Sequence, residues 1–505
     1  GEGQGAFRRR EMSEGARAVK RGTPVTVVGG GLAGCEAALG LARRGHPVRL
    51  VEMRPVQGTE AHQTDGLGEL VCTNSFKSED PTNAHGQLKR EMRLLGSVLL
   101  RSADLTKVPA GSALAVDRHL FSEAMEAAVH EHPGVEVVRE EVTALPDGPA
   151  VIATGPLTSD ALSASIREAL GDEGLAFFDA IAPIVHRDSI DESIVFEAGR
   201  FEESGDYLNC PMNQAEYKEF IAALKAGDVY EGQDWDEVPY FEGCLPIEVM
   251  ASRGDETLRF GPMKPIGLTD PRTGERPWAV VQLRREDRAG QMWNMVGFQT
   301  RLRIGEQRSV FTGIPGLENA EFLRWGSIHR NSYLSFPDRL SPHGSPRDRA
   351  DVVFAGQITG VEGYTESAAS GILAAENLHR VIEGLDPVLP PPTTMTGGLA
   401  RYLRESEPKH FQPMNSNWGL VDPLRRRIRN KKEKRVVLAR RALADFIAWM
   451  EEHGIEAQVP LEALAGAPET FPGTKSGTKS GTKEGVVGGP GAGALPGARE
   501  EAGAP

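Results

Sequence analysis

The chain has few of the residues that build disulfide or metal frameworks. Among 505 residues there are four cysteines, Cys35, Cys72, Cys210 and Cys244. None pairs into C-x-x-C, so the spacing supports neither a disulfide scaffold nor a zinc or iron–sulfur site. Twelve histidines are scattered, without H-E-x-x-H or a triad pattern, and no metal is expected. His62 and His85 read as loop or helix-cap groups as readily as functional ones. There is no transmembrane run and no secretory leader, so a reduced, cytoplasmic setting with no membrane partner is the simplest expectation. Excess positive charge is missing too. A formal charge of −14 argues against nucleic-acid binding over the whole surface but leaves room for a local basic patch. The 39% hydrophobic content suits a globular chain of two or three domains.

What is present starts at residue 24. The stretch PVTVVGGGLAGCEAALGLARRGHPVRLVEMRP, Pro24 to Pro55, reads as strand, glycine turn, helix, strand and acidic residue. Gly29, Gly31 and Gly34 match G-x-G-x-x-G behind a buried strand of Val25 to Val28. The first glycine permits the tight turn, the second lets the backbone approach a pyrophosphate, and the third lets the helix sit close to the sheet. The N–H groups at the helix start suit phosphates. A second strand, Val48 to Val51, ends at Glu52, whose carboxylate can accept from a ribose hydroxyl. That favours FAD or NAD over a 2′-phosphorylated cofactor. From Asp351 the pattern returns: Gly356, Gly360 and Gly363 lie between a strand and a helix of Thr365 to His379. FAD is long, and a second glycine loop meeting its ring or phosphates is expected; an ordinary αβ crossover is the alternative.

Between these segments, residues 56–82 read as a long functional loop. A helix is predicted from Asn83 to Ala103, with Leu88, Met92, Leu95 and Leu99 on one face. A second runs from His119 to His132, and strands follow at Val135 to Val138 and Ala150 to Thr154. From Phe177, short runs such as IAPIVH and WAVVQLR predict a mixed or antiparallel sheet with few helices. The expected fold is α/β in five segments: a loose extension (1–20), the first part of a cofactor domain (21–178), an inserted smaller α+β domain (179–346), the second part with a basic helical region (347–464), and a tail (465–505). The tail is rich in Gly, Pro and Ala and cannot bury enough apolar surface to fold.

Cys35 follows the glycine turn and reads as a small packing residue, and Cys210 in YLNCPM shows no chemical role. Cys72, in GELVCTNSFKSE, lies near the cofactor edge of the sheet beside Asn74, Ser75 and Lys77, which could hold polar ligand groups. Cys244, in YFEGCLPIEVM, has Glu242 and Glu248 close in sequence. The residues alone leave both thiols open between reactive and structural roles. The run RRRIRNKKEKRVVLARR, 425–441, carries ten Lys or Arg and one Glu. It is either a solvated face or a phosphate-contacting helix.

In VVGGGLAGCEAA, EMRP, VCTNSF, VPAGSALAVDR, ATGPLTS, YLNCPM, FEGCLPIE, GPMKPIGLTDPRTG, VQLRRED, MVGFQT, IHRNSYL, FAGQITGVEGYTESAA and FQPMNSNWGL the chain resembles the bacterial folate- and FAD-dependent tRNA (uracil-5-)-methyltransferases. These are relatives of the larger flavoproteins that modify the wobble uridine. The likeness leaves out both tails. It implies a glutathione-reductase-like FAD-binding domain with a smaller insertion. It implies transfer of the methylene carbon of 5,10-methylenetetrahydrofolate to C5 of the T-loop uridine (position 54) of tRNA, forming ribothymidine. FAD would carry the carbon and supply hydride, with NADH or NADPH as reductant. Cys244 would attack the uracil, and Cys72 would remove a proton or protect the flavin.

That division of labour makes chemical sense. Uracil C5 is a poor nucleophile until a thiolate adds at C6, and a proton must later leave C5, so one thiolate and one base are needed. The target base must be turned out of the T loop. His329, with Arg330 and Asn331, is a candidate for the pterin or its glutamate tail. Lys264 and Arg284, with Arg285, are candidates for anion contact; solvated or structural roles are the alternatives. Lys431 and Lys432, in the basic run, would meet the T arm of tRNA through shape and backbone contacts. A monomer or weak homodimer is expected. The alternatives are flavin-dependent modification of another tRNA uridine, such as the wobble position, and a non-enzymatic FAD-binding RNA scaffold.

Overall fold

Valine-rich runs and glycine stops set out the first layer. In the computed structural model, residues 22–464 are described except 60, 172–174, 201–204, 231–244, 286–289, 409–410, 412, 427 and 462–463; for 175–181 and 327–332 only the backbone is described. Cys244, Glu242 and both tails therefore lie outside the described residues.

β1 (Val25–Val28) leads through the glycine turn into α1 (Leu32–Arg43) and back along β2 (Val48–Glu52). β3 (Ser75–Ser78), β4 (Lys107–Val108) and β5 (Ala113–Val116) form a small sheet in the order β3-β5-β4. α2 (Ala84–Leu94) and α3 (Val98–Leu105) lie between β3 and β4. α4 (Arg118–His130), β6 (Val135–Arg139), β7 (Ala150–Ile152) and α5 (Asp160–Leu170) follow.

β8 (Leu175–Ile181) leaves this layer for a second one: β9 (Ile184–His186), β10 (Phe196–Glu197), β11 (Tyr207–Met212), α6 (Gln214–Ala226), α7 (Ile247–Ser252), α8 (Thr257–Phe260), β12 (Ala279–Arg285), β13 (Met292–Met295), α9 (Ile304–Phe311) and β14 (Phe322–Arg324). β15 (Ser327–Tyr333) returns antiparallel to β8, Ser327 opposite Ile181 and Tyr333 opposite Leu175. α10 (Phe336–Arg339), β16 (Val352–Phe354), α11 (Tyr364–Ile382), α12 (Met395–Glu405) and α13 (Lys431–Glu452) complete the described chain.

The first sheet has the order β16-β7-β1-β2-β6 and is parallel throughout. Parallel strands are covered on both faces, and β1 and β7 are buried almost along their length. α1 packs directly on α11: a Cβ on Gly371 would collide with the Ala33 carbonyl. The second sheet, β10-β11-β12-β13-β9-β14, is antiparallel at every pair. It carries its own apolar cluster with α6 and α9, centred on Leu208, Tyr217, Phe220, Phe298 and Phe311. Tyr333, Leu334, Phe336 and Leu340 pack instead with the first sheet's Val352 and Phe354.

Two local expectations change. The helix expected over 83–103 is two helices, because Gly96 takes a left-handed φ of 74° and Ser97 caps a new start at Leu100 N–H. The buried Glu36 of α1 completes the break by accepting from Val98 and Leu99 N–H and from the Ser97 hydroxyl. The loop expected over 56–82 ends in β3, whose pairing with β5 shifts register between Ser75 and Ser78. Such irregular pairing leaves no clean alternation to read. Among the described residues no helix is long and apolar enough to cross a membrane.

Candidate active site

The glycine turn forms one end of a groove. Gly29 has φ 102° and donates to the Val51 carbonyl at 2.8 Å; a Cβ there would sit 2.5 Å from the Ala153 oxygen. Gly34 lets α1 begin against the Gly29 carbonyl, which a Cβ would strike. Gly31 faces open space and lines the groove. It is the N-cap of α1, and no side chain caps it, so the positive end of the helix faces the groove.

Glu52 also lines the groove. Its carboxylate accepts from Gly30 N–H at 2.8 Å and from Arg54 at 2.8 and 3.0 Å. Burial would raise its pKa, but Arg54 and the Gly30 amide outweigh burial and hold it below the usual carboxylate range. It therefore stays an acceptor. Arg54 also binds Glu69, Thr64 O and Gly66 O at 3.0–3.1 Å, tying the 62–69 loop to the groove wall. His62 on that wall is pushed down to about 4 by burial, with Arg54 adding to it.

The second glycine loop forms the other side. Gly356, Gln357, Tyr364 and Ser367 line the groove with Gly29 and Gly31. Gly356 donates to Ser370 Oγ at 2.6 Å. Gly360 and Gly363 meet protein instead: Cβ atoms there would strike the Phe411 ring and the Glu366 carboxylate. α11 also starts without a side-chain cap. A groove with an uncapped helix start on each side, a backbone cradle open at Gly31 and an ionised carboxylate at Glu52 fits an elongated dinucleotide such as FAD. Its pyrophosphate would lie at α1.

Behind the groove lining, the structure brings Cys72 against Tyr364, a lining residue 292 positions away in sequence. Tyr364 Oη is 3.0 Å from Cys72 Sγ and accepts from Cys72 N–H at 2.9 Å and Thr73 N–H at 3.2 Å. Burial, then the neighbouring Cys72, pushes the phenol well above its ordinary pKa, so it keeps its proton. A phenol oxygen has two acceptor positions and one O–H. The two amides take the acceptor positions, which leaves the O–H to point at sulfur. Such a donor stabilises a thiolate. Sequence reading missed Tyr364; an aromatic residue opening a helix right after a glycine loop was the available signal.

Beside Cys72, Thr73 and Asn74 are clamped from the second layer. Arg284 donates to Thr73 Oγ1 at 2.7 Å and Asn74 Oδ1 at 3.2 Å. The Asn74 amide donates to Val116 O at 2.8 Å and Arg285 O at 2.9 Å. The Asn74 and Arg284 side chains are buried. Arg324 donates to Val71 O at 2.9 Å, so β12 and β14 together hold the Cys72 loop.

The other candidates are more dispersed. Lys264 sits in a turn of the second layer, where its carbonyl accepts from Arg200. Arg285 lies over the Trp293 ring. His329 and Arg330 are on β15, opposite Asp179 and Phe178; their side chains lie outside the described residues. Lys77 is exposed, with a left-handed φ of 62°. His85 Nδ1 is 3.3 Å from the buried Glu366 carboxylate. Lys431 and Lys432 are exposed on the first turn of α13. Cys35 and Cys210 are fully buried, and burial pushes both thiols up, Cys35 further by Glu36 and Glu52. Near Cys244 in sequence, Glu248 is buried and spent on Thr300 Oγ1 (2.8 Å) and Arg301 N–H (2.9 Å).

Sheet order, glycine turn and groove define a Rossmann-type dinucleotide-binding protein with an inserted antiparallel layer. The family model described as glucose inhibited division protein A matches residues 24–386. Methylenetetrahydrofolate--tRNA-(uracil-5-)-methyltransferase TrmFO of Geobacter sulfurreducens is 53% identical over 432 residues, 84% of this chain and 98% of that protein. Its namesake from Thermus thermophilus is 52% identical over 436 residues, 86% and 98% of the two chains. The chain belongs to the GidA/TrmFO family. In fold it is similar to Aquifex aeolicus GidA in its form II crystal, with TM-score 0.61, 17% identity, and 86% of this chain and 74% of that one covered.

Proposed function

We infer that this chain is a folate- and FAD-dependent tRNA (uracil-5-)-methyltransferase. It moves the methylene carbon of 5,10-methylenetetrahydrofolate to C5 of a tRNA uridine and reduces it to methyl, the activity named for its relatives. The target in this reading is the T-loop uridine at position 54. The observation that carries it is the Cys72 thiol held against the phenol of Tyr364, a residue that lines the dinucleotide groove.

FAD would lie along the groove of a glutathione-reductase-like domain, its pyrophosphate at Gly29, Gly31 and Gly34, a ribose at Glu52, and its ring toward Gly356 and Tyr364. Bound there, it would supply redox chemistry at a carbon carrier, with NADH or NADPH as the source of electrons. The chain's own residues do the rest. Cys244 adds to uracil C6 as a thiolate. Cys72, beside the Tyr364 O–H, takes the proton from C5, and the Cys244–C6 bond breaks as the C5–C6 double bond re-forms. Arg284 and Asn74 act here as positioning residues for the Cys72 loop rather than as ligands, because their polar atoms are turned toward Thr73, Val116 and Arg285. Folate contacts are assigned to His329, Arg330 and Lys264.

The tRNA is placed on the start of α13. Lys431, Lys432, Lys434 and Arg435 are exposed there, with Arg425, Arg426 and Arg429 just upstream. Cations at a helix N-terminus oppose the helix dipole, and phosphates would relieve that repulsion. The setting in this reading is cytoplasmic. The test is turnover of unmodified tRNA with labelled methylenetetrahydrofolate and NADPH, followed by mapping of the base. Labelled 5-methyluridine in the T loop is expected. Label at the anticodon, or none with flavin bound, refutes the reading.

A further inference from the structure

At the end of α1 and α11 away from the groove, three metal-type donors converge. His46 stands in the turn between α1 and β2; His379 and Glu383 lie one turn apart, in the last turn and at the C-cap of α11. His46 Nε2 is 2.8 Å from His379 Nδ1. One donor atom from each of the three residues lies within 4.8 Å of the others. The two rings are tilted by 60° with centroids 5.1 Å apart, so they meet through nitrogen rather than by stacking. His46 is buried, and the other two are half-buried.

The surroundings suit a cation. Arg44 pairs with Glu376, and Arg380 lies 3.8 Å from the same carboxylate. With Glu383 these four groups sum to no formal charge. An imidazole binds metal through an unprotonated nitrogen, and the 2.8 Å nitrogen–nitrogen contact already requires one of the two rings to present one.

We propose that His46, His379 and Glu383 form a binding site for one divalent transition-metal ion of the zinc type, clipping the α1–β2 turn to the end of α11. Zinc takes imidazole nitrogen and carboxylate oxygen at about 2.0–2.2 Å in tetrahedral geometry, with water in an open position. Two nitrogens on one such ion stand roughly 3.3 Å apart. The ion would part the rings by about half an ångström, and the hydrogen they share would pass to the outer nitrogen of its own ring. His379 and Glu383, four apart on a helix, share a face. His46 is 333 positions from His379, which is why spacing alone gave no hint of the site.

The test uses the full FAD-loaded chain, stripped with chelator and titrated with Zn²⁺ or Co²⁺. One Co²⁺ per chain with visible bands of four- or five-coordinate geometry is expected, as is a rise in Tm on adding Zn²⁺. His379→Gln and Glu383→Gln should each weaken binding tenfold or more, with flavin content unchanged. His46→Gln can keep a hydrogen bond to His379, so it should retain metal-free stability while losing the Zn²⁺ response. Zn²⁺ binding as tight in His379→Gln as in the parent, or no stoichiometric binding in the parent, would overturn the site and leave a plain His–His hydrogen bond. Neither result depends on methyl transfer.

Discussion

Cys35 and Cys72 both lie close to the dinucleotide groove, and their surroundings differ in burial and in hydrogen-bond partner. Cys35 is fully buried on α1, its Sγ 3.4 Å from the Gly30 carbonyl, with Glu36 and Glu52 as charged neighbours. Burial and both carboxylates disfavour its thiolate. Cys72 is half-buried against the Tyr364 phenol, which in turn feels the charge of Arg118. Nearness to the cofactor groove is thus a poor guide to reactivity. In the proposed mechanism, what separates the two is whether a neighbouring group can offer a proton to sulfur, as the Tyr364 phenol can to Cys72.

Substitution should break this comparison most sharply. Cys72→Ala should lower methyl transfer by roughly 10³-fold or more, as expected when an acid–base group is lost. Cys35→Ala should leave turnover within about threefold, since it deletes one small buried group. Single-turnover assays with flavin content measured alongside check both. Equal losses would mean that position, not environment, sets the roles.

A smaller effect should come from the clamp on the Cys72 loop. Arg284→Ala removes charged hydrogen bonds to Thr73 and Asn74, each worth about 1.5–3 kcal/mol. Turnover should fall about tenfold or somewhat more, with kcat affected more than the KM for folate. A change confined to KM would instead make Arg284 a folate ligand.

An effect on stability, with none expected on the chemical step, concerns His62 on the groove wall. His62 is neutral when folded, with a pKa of about 4 against 6.5 in the unfolded chain. The unfolded state binds the extra proton, so stability should rise with pH across that window and be lost as pH falls from about 6.5 toward 4. The loss is at most about 3 kcal/mol. Thermal unfolding should show it, and His62→Gln should flatten the curve.

Much of the cofactor side was legible in sequence. Gly29, Gly31, Gly34 and Glu52 are fixed by local geometry within one βαβ unit, and local geometry is what a spacing pattern records. The second loop was legible as backbone but only partly as a site, because Gly360 and Gly363 are glycines for the sake of Phe411 and Glu366. The Tyr364 contact, the Arg284 clamp and the His46–His379 pair join segments hundreds of positions apart, and nothing in local periodicity carries them. Asn74 and Arg284 are candidate ligand groups in sequence, where a buried polar residue and a binding residue read alike, and in the fold both have protein partners. Their partners appear only once the second layer folds back over the first.

The proposed role of Cys72 depends on the Tyr364 O–H acting as a donor to its sulfur. The direct measurement is the rate of Cys72 alkylation by iodoacetamide against pH, in the parent chain and in Tyr364→Phe, with modification sites read by mass spectrometry. Cys72 should react faster than Cys35 and Cys210 at pH 7. In Tyr364→Phe its rate there should fall tenfold or more and its profile shift to higher pH. An unchanged profile in Tyr364→Phe would mean that the phenol does not set the reactivity of Cys72.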